Sequence, residues 1–457
     1  MKTKNLTILA AVVIAALAYI LLVERHRPTS DESRQEAEKV LRDFDRDQVT
    51  GLVIEREGSR VRIEKVGEDW RLREPLDFPA DSSLVSSTLG SLANLTADRR
   101  LAADEVDSAA YGLDHPADRV TLRMADGSER VVEVGDELPL GSKRALRVDQ
   151  GGEIVVASGW FVSDLERKVD DWRSHDVVDI SEDAIASIDI ESGPDTIRAA
   201  RVDDRWQLLR PLEDLADADH LSGLVSDLRS MKIVEFLGDD AKPSDLGLDV
   251  PEYEITIVRT DGGEPLRLDL GATRDGDAGT EVACRRGDSE LFWASDRVRT
   301  RLSKAPVLWR SKKVMPFETW DVETLKMTTP EASVALAQKE SVWRFADDSE
   351  AKPVAVQDRL RALASLEATD YDLMEPPTRQ MGTAEVGLEK KGDEEHGAVI
   401  TFTFFAPLSE GGRAVVKVSG RNTVMGVDAN DVEKILGDLG GLRAQPSEEP
   451  ADDTATE

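Results

Sequence analysis

Few positions in this 457-residue chain combine the residue types and spacing that catalysis or ion binding needs. Asp275, Asp277 and Glu281 put three carboxylates within seven residues, and calcium prefers such oxygen donors. The segment lacks the further ligand, glycine and distal glutamate of an EF-hand loop, so an exposed turn is expected. Arg173 and Arg310 carry guanidinium forks suited to an anion. Pairing with the chain's many carboxylates, or capping of carbonyls, is the simpler expectation. Trp70, Trp206 and Trp343 have faces that could stack on sugar rings. Their matched position on a strand ahead of a helix instead makes them core residues, as it does Trp172 and Trp309 at the module ends. Trp160 and Trp293 stand 133 residues apart and read as another matched pair, and Trp320 is less constrained. His115 lies between Asp114 and Pro116, but the matching position of the next copy is Val250, which argues against a shared catalytic role. His26, His175, His220 and His396 show no ligand spacing. Ser158-Gly159 and Ser419-Gly420 lack a nucleophile-elbow frame, and no phosphate-binding glycine loop is present. Cys284, the single cysteine, allows neither an intrachain disulfide nor a cysteine-based metal site. The expectation is a non-enzyme with no catalytic residue, cofactor or metal.

Charge narrows the partners. The chain carries 58 Lys+Arg against 91 Asp+Glu, a net charge of −33. Nucleic-acid binding needs clustered cations, and so does a polybasic grip on anionic lipid. Both are excluded.

The elements that would position any site are repeated. Trp70, Trp206 and Trp343 recur every 136–137 residues, as do Val49, Ile185 and Val322 in the strands VTGLVI, IASIDI and VETLKM. Trp172-Arg173-Ser174 and Trp309-Arg310-Ser311 end the first two units. Between these landmarks lie Tyr111-Gly112-Leu113-Asp114-His115-Pro116 and Leu246-Gly247-Leu248-Asp249-Val250-Pro251, with Gly387-Leu388 read as the third remnant. Alternating strands lead into an amphipathic helix in each unit, marked by Val85, Leu89 and Leu92, by Leu221, Leu224, Val225 and Leu228, and by Val356, Leu360 and Leu363. Asp81 and Asp217 stand where caps are wanted. Hairpins follow at Asp126-Gly127, Asp261-Gly262-Gly263 and Ser409–Gly412, with Gly135, Gly271 and Gly420 closing the return strands. The pattern predicts three tandem α+β modules.

Leu6 to Val23 is an uncharged run of 18 residues. As a helix it would measure roughly 27 Å, near the thickness of a bilayer's hydrocarbon core. Lys2, Lys4 and the terminal amine precede it, which predicts a cytoplasmic N-terminus and an exported remainder. The competing reading is a cleaved signal peptide at Ala16-Leu17-Ala18. The apolar run continuing through Ile20-Leu21-Leu22-Val23 favours an uncleaved anchor. The expected order is a cytoplasmic N-terminus at 1–5, a transmembrane signal anchor at 6–23 and a stalk at 24–48. Repeat modules follow at 49–180, 181–317 and 318–442, the last divergent, and then a disordered acidic tail at 443–457.

The W-x-[LF] strand, the downstream helix, the YGLDHP-like box and the glycine-closed hairpin resemble the bacterial DUF4340 proteins over about residues 45–442. The third copy departs by lacking the box proline and the terminal Trp-Arg pair. The resemblance implies a single-pass protein of the bacterial inner membrane, with ABC-type or gliding-motility-associated transporter subunits as partners. A non-enzymatic extracytoplasmic accessory or scaffold is therefore expected. The alternatives are a periplasmic ligand or glycan binder and, third, a carboxylate-dependent hydrolase. Oligomeric state is left open.

Overall fold

The computed structural model describes residues 30–102, 106–139, 141–202, 205–303, 305–371, 379–390, 397–406 and 413–444. The Leu6–Val23 segment, His26, His396, the Ser409–Gly412 turn and the tail beyond 444 lie outside the described residues. The chain divides into two compact units, 1–175 and 176–457, holding one and two copies of the repeat.

In the first unit, alternating apolar residues set three consecutive antiparallel strands, Val49–Arg56, Ser59–Val66 and Asp69–Glu74. Leu52, Ile54, Val61, Ile63, Trp70 and Leu72 are all buried in one core. Asp81 then caps the helix Ser82–Ala93 by accepting from the Ser83 and Leu84 N–H groups. Val85, Thr88, Leu89 and Leu92 make its buried stripe. Asp118–Met124 returns to pair with Val49–Arg56, so the opening strand lies inside the sheet. Glu129–Leu138, Lys143–Val148 and Glu153–Ser158 continue outward, and the earlier Ala97–Ala102 forms the far edge. With Phe78–Pro79 at the near edge, the sheet has nine strands.

The second unit contains another nine-stranded sheet of the same order and a third of seven strands. Their helices are Ala218–Ser230, capped by Asp217, and Pro353–Ala364, which starts on proline instead of an acidic cap. A register shift recurs at one point in each opening strand: Val49/Gly51, Ile185/Ser187 and Val322/Thr324. The three main cores begin at Val40, Val177 and Val314, upstream of 49, 181 and 318. Val40, Leu41 and Phe44, within the segment read as a stalk, are buried in the first of them.

The expected fold, α+β modules behind a membrane-spanning helix, is corrected. Among the described residues strand exceeds helix 46% to 22%, the three sheets are antiparallel, and each copy sets one helix of 12 or 13 residues, joined in the third by the shorter Ala429–Leu436, against seven to nine strands. The strands that periodicity missed have physical reasons for looking irregular. Glu153–Ser158 is covered on both faces, with Val155 and Ala157 in the main core and Ile154 and Val156 in a smaller cluster opposite, so it shows no alternation. Ala97–Ala102 is a charged edge. Among the described residues no helix is long and apolar enough to cross a membrane.

Candidate functional site

The box has a clear local cause. Ser108–Tyr111 forms one 3₁₀ turn that ends at Gly112 with φ +69°, and Pro243–Leu246 ends likewise at Gly247, a backbone geometry that glycine adopts without strain. Each turn drives a leucine, Leu113 or Leu248, into a small cluster on the sheet face opposite the helix. The glycine beneath it allows this approach. A Cβ at Gly135 would overlap the Tyr111 carbonyl oxygen, and one at Gly271 the Leu246 carbonyl oxygen. The Arg147 Nη2 donates to the Leu113 carbonyl at 2.9 Å while pairing with the buried Glu133, which fastens the box from below. Gly135→Ala is accordingly expected to destabilise the first unit by about 1–3 kcal/mol through overpacking. Thermal unfolding should show the loss, with Gly127→Ala, in open space but at positive φ, costing less.

The third copy is organised differently from its sequence reading. Gly387-Leu388 is no box remnant: it ends the strand Gln380–Leu388 and pairs with Thr324 and Val322. The strand carrying Ile400, Phe402 and Phe404 is the return strand itself, and Phe405 takes the register position of Gly135. Gly420 sits one strand later, in the turn after Ala414–Val418.

The closing segment is repeated three times. Arg173, Arg310 and Arg443 bridge Ala80, Ala216 and Ala351, and the carbonyls of Trp172, Trp309 and Leu442 accept from Asp81, Asp217 and Lys352 at 2.8–2.9 Å. Leu442-Arg443 thus stands in for the missing Trp-Arg pair, a match that spacing hides because it falls 133 residues after Trp309-Arg310 and not the 136–137 of the repeat. Trp70, Trp206, Trp343, Trp172 and Trp309 are all buried, at 8% exposure or less. Trp160 is 51% exposed and follows its strand, whereas Trp293 lies within one, at the position of Val156. Their spacing of 133 residues is coincidental.

The other chemical candidates are occupied or exposed. Glu281 accepts from Arg274 Nε at 2.7 Å, and that guanidinium lies over Trp293. Cys284 is buried, which pushes its thiol pKa up. Asp114 and His115 are exposed on the box. No group of three potential metal ligands occurs among the described residues.

One polar cluster stands apart. Asp214 occupies the position that Phe78 holds in the first copy, opposite Leu208 as Phe78 is opposite Leu72. Arg173 stacks on Phe78 at 4.3 Å, but Arg310 instead donates through Nε to Asp214 Oδ2 at 2.6 Å. Arg421, 207 residues along the chain, donates to both carboxylate oxygens at 2.6 and 2.8 Å. Its Nη1 also donates to the Lys313 and Val314 carbonyls, at 2.7 and 3.0 Å. Thr423 Oγ1 accepts from Arg310 at 3.0 Å, and the Tyr371 ring faces that guanidinium at 4.3 Å. All three charged side chains are at most 1% exposed. Burial raises the Asp214 pKa, but the hydrogen bond and charge of Arg421 and the hydrogen bonds from Arg310 and the Leu215 N–H outweigh it, and the carboxyl lies below its ordinary value. Chemically this is a saturated ion cluster, built to join the second and third copies.

A family model described as Domain of unknown function (DUF4340) matches residues 70–251 and 239–390, more than half of the chain. The chain belongs to the DUF4340 family. The first DUF4340 match starts at Trp70 and ends at Pro251, the last residue of the second box, so it takes in the tryptophan strands and boxes of two copies. No curated protein and no solved structure matches the chain.

Proposed function

We propose that this DUF4340 protein is a non-enzymatic accessory or scaffold, working outside the cytoplasm beside an ABC-type transporter or a motility or envelope complex. The single observation behind this reading is what the signature residues do. Tryptophans and closing arginines serve packing in three successive copies, and the boxes do so in the first two. A fold whose repeated residues maintain shape is suited to presenting surface. The uncharged Leu6–Val23 segment and the lysines before it support a single-pass location in the bacterial inner membrane, N-terminus inside.

The test is a mild-detergent pull-down of the tagged full chain with mass spectrometry. Permease and ATPase subunits are expected, and they should be lost when residues 1–23 are replaced by a cleavable signal. Recovery of the protein alone would count against the scaffold. A polar cleft of about 350 Å³, lined by Asp176, Asp179, Ser226, Arg229, Ser230 and Lys232, favours small-solute binding as the second reading. Saturable heat on titration with charged solutes or cell-wall fragments, abolished by Arg229→Ala, would support it.

A further inference from the structure

The first copy contains an ionisable cluster that the fold does not require. Arg56 ends the opening strand and lies in register opposite Asp118, which starts its neighbour. Asp118 is only 4% exposed, whereas the matching positions are Tyr253 and Gly382. The Arg56 guanidinium is divided between two carboxylates. Its Nη2 donates to Glu166 Oε1 at 2.9 Å, and its Nε stands 3.5 Å from Asp118 Oδ1. That second separation is too long for a strong bond, and both Asp118 Oδ1 and Arg56 Nη1 are buried without a hydrogen-bond partner. Glu166 is the C-cap of the short helix Val162–Leu165, whose Val162 and Leu165 are buried in the main core, so the arginine ties down the C-terminal end of a helix already packed on the sheet. Trp160, half exposed, is tied to the same turn because Ser163 Oγ donates to its carbonyl at 2.9 Å.

We propose that Arg56, Asp118 and Glu166 form a proton-operated latch on the short helix Val162–Leu165. With Asp118 neutral, the guanidinium belongs to Glu166 and the helix is held down. When Asp118 releases its proton to water, the new carboxylate draws the guanidinium across and the Glu166 bond lengthens. The groups facing Asp118 set where this happens. Burial raises its pKa most, Arg56 and Arg144 oppose, and Glu166 and Glu57 assist, leaving the carboxyl above its ordinary value. The sign follows: while Glu166 carries its charge, the latch closes as pH falls through this elevated pKa and opens as pH rises through it. The same proton that closes it favours the folded first unit.

The full chain is titrated by tryptophan fluorescence, with W160F subtracted to isolate Trp160. The expected result is a single step with a midpoint above about 3.9, the ordinary aspartate value. Asp118→Asn should abolish the step and hold the low-pH signal throughout. Glu166→Gln should abolish it with the circular dichroism unchanged. A step that survives Asp118→Asn, a midpoint at or below the ordinary value, or no step in the wild-type chain would overturn the latch.

Discussion

Asp214→Asn is expected to lower the stability of the second unit by about 3–5 kcal/mol, because two buried arginines would lose their shared carboxylate. In calorimetry of the full chain this amounts to a fall on the order of 10 °C in that unit's transition. Replacing all three charges together, with Asp214→Leu, Arg310→Met and Arg421→Met, should recover most of the loss, since apolar groups of similar volume remove the desolvation cost as well as the attraction. Failure of that rescue would point to a binding role for the cluster. The pH dependence has a definite sign. A carboxyl held below its ordinary pKa contributes stability above the unfolded value, and loses it as pH falls through the folded one. The difference between wild type and Asp214→Asn should therefore be full at neutral pH and shrink below about pH 4.

Trp172→Ala should cost about 3–5 kcal/mol, the usual range for emptying a buried tryptophan site. Trp160→Ala, twelve residues earlier and 51% exposed, should stay within about 0.5 kcal/mol. Both substitutions fall in the same unit, so one denaturation series compares them directly. Equal losses would mean that Trp160 is covered in solution.

The repeat was legible because it rests on residues with few substitutes. A tryptophan on a core strand and a glycine under a close approach keep their identity, and their spacing gave the helices and hairpins of the first two copies. Legibility failed where one residue type had several explanations. Gly387 and Gly420 looked like box and hairpin landmarks, yet one sits within a strand and the other in a later turn, which displaced the third copy's reading by one strand. The doubly covered strand Glu153–Ser158 lost its alternation to burial on both faces. The ion cluster could not be read at all. Asp214 replaces a phenylalanine in one copy only, and its partner Arg421 lies 207 residues away. Nothing local in either sequence window marks them as a pair.

The three closing segments, ending on Arg173, Arg310 and Arg443, also bear on how such a chain can grow. Each copy carries its own terminator at its C-terminal end, sealing the near edge of its own sheet through the bridges to Ala80, Ala216 and Ala351. A gene duplication of one period would therefore deliver a part whose near edge is already closed and whose far edge, as at Ala97–Ala102, is charged. In the second copy Asp214 stands where the first has Phe78, and its bonds from Arg421 tie that copy to the third. Ancestry by tandem duplication needs no new solution to edge protection, because the solution travels with the repeat.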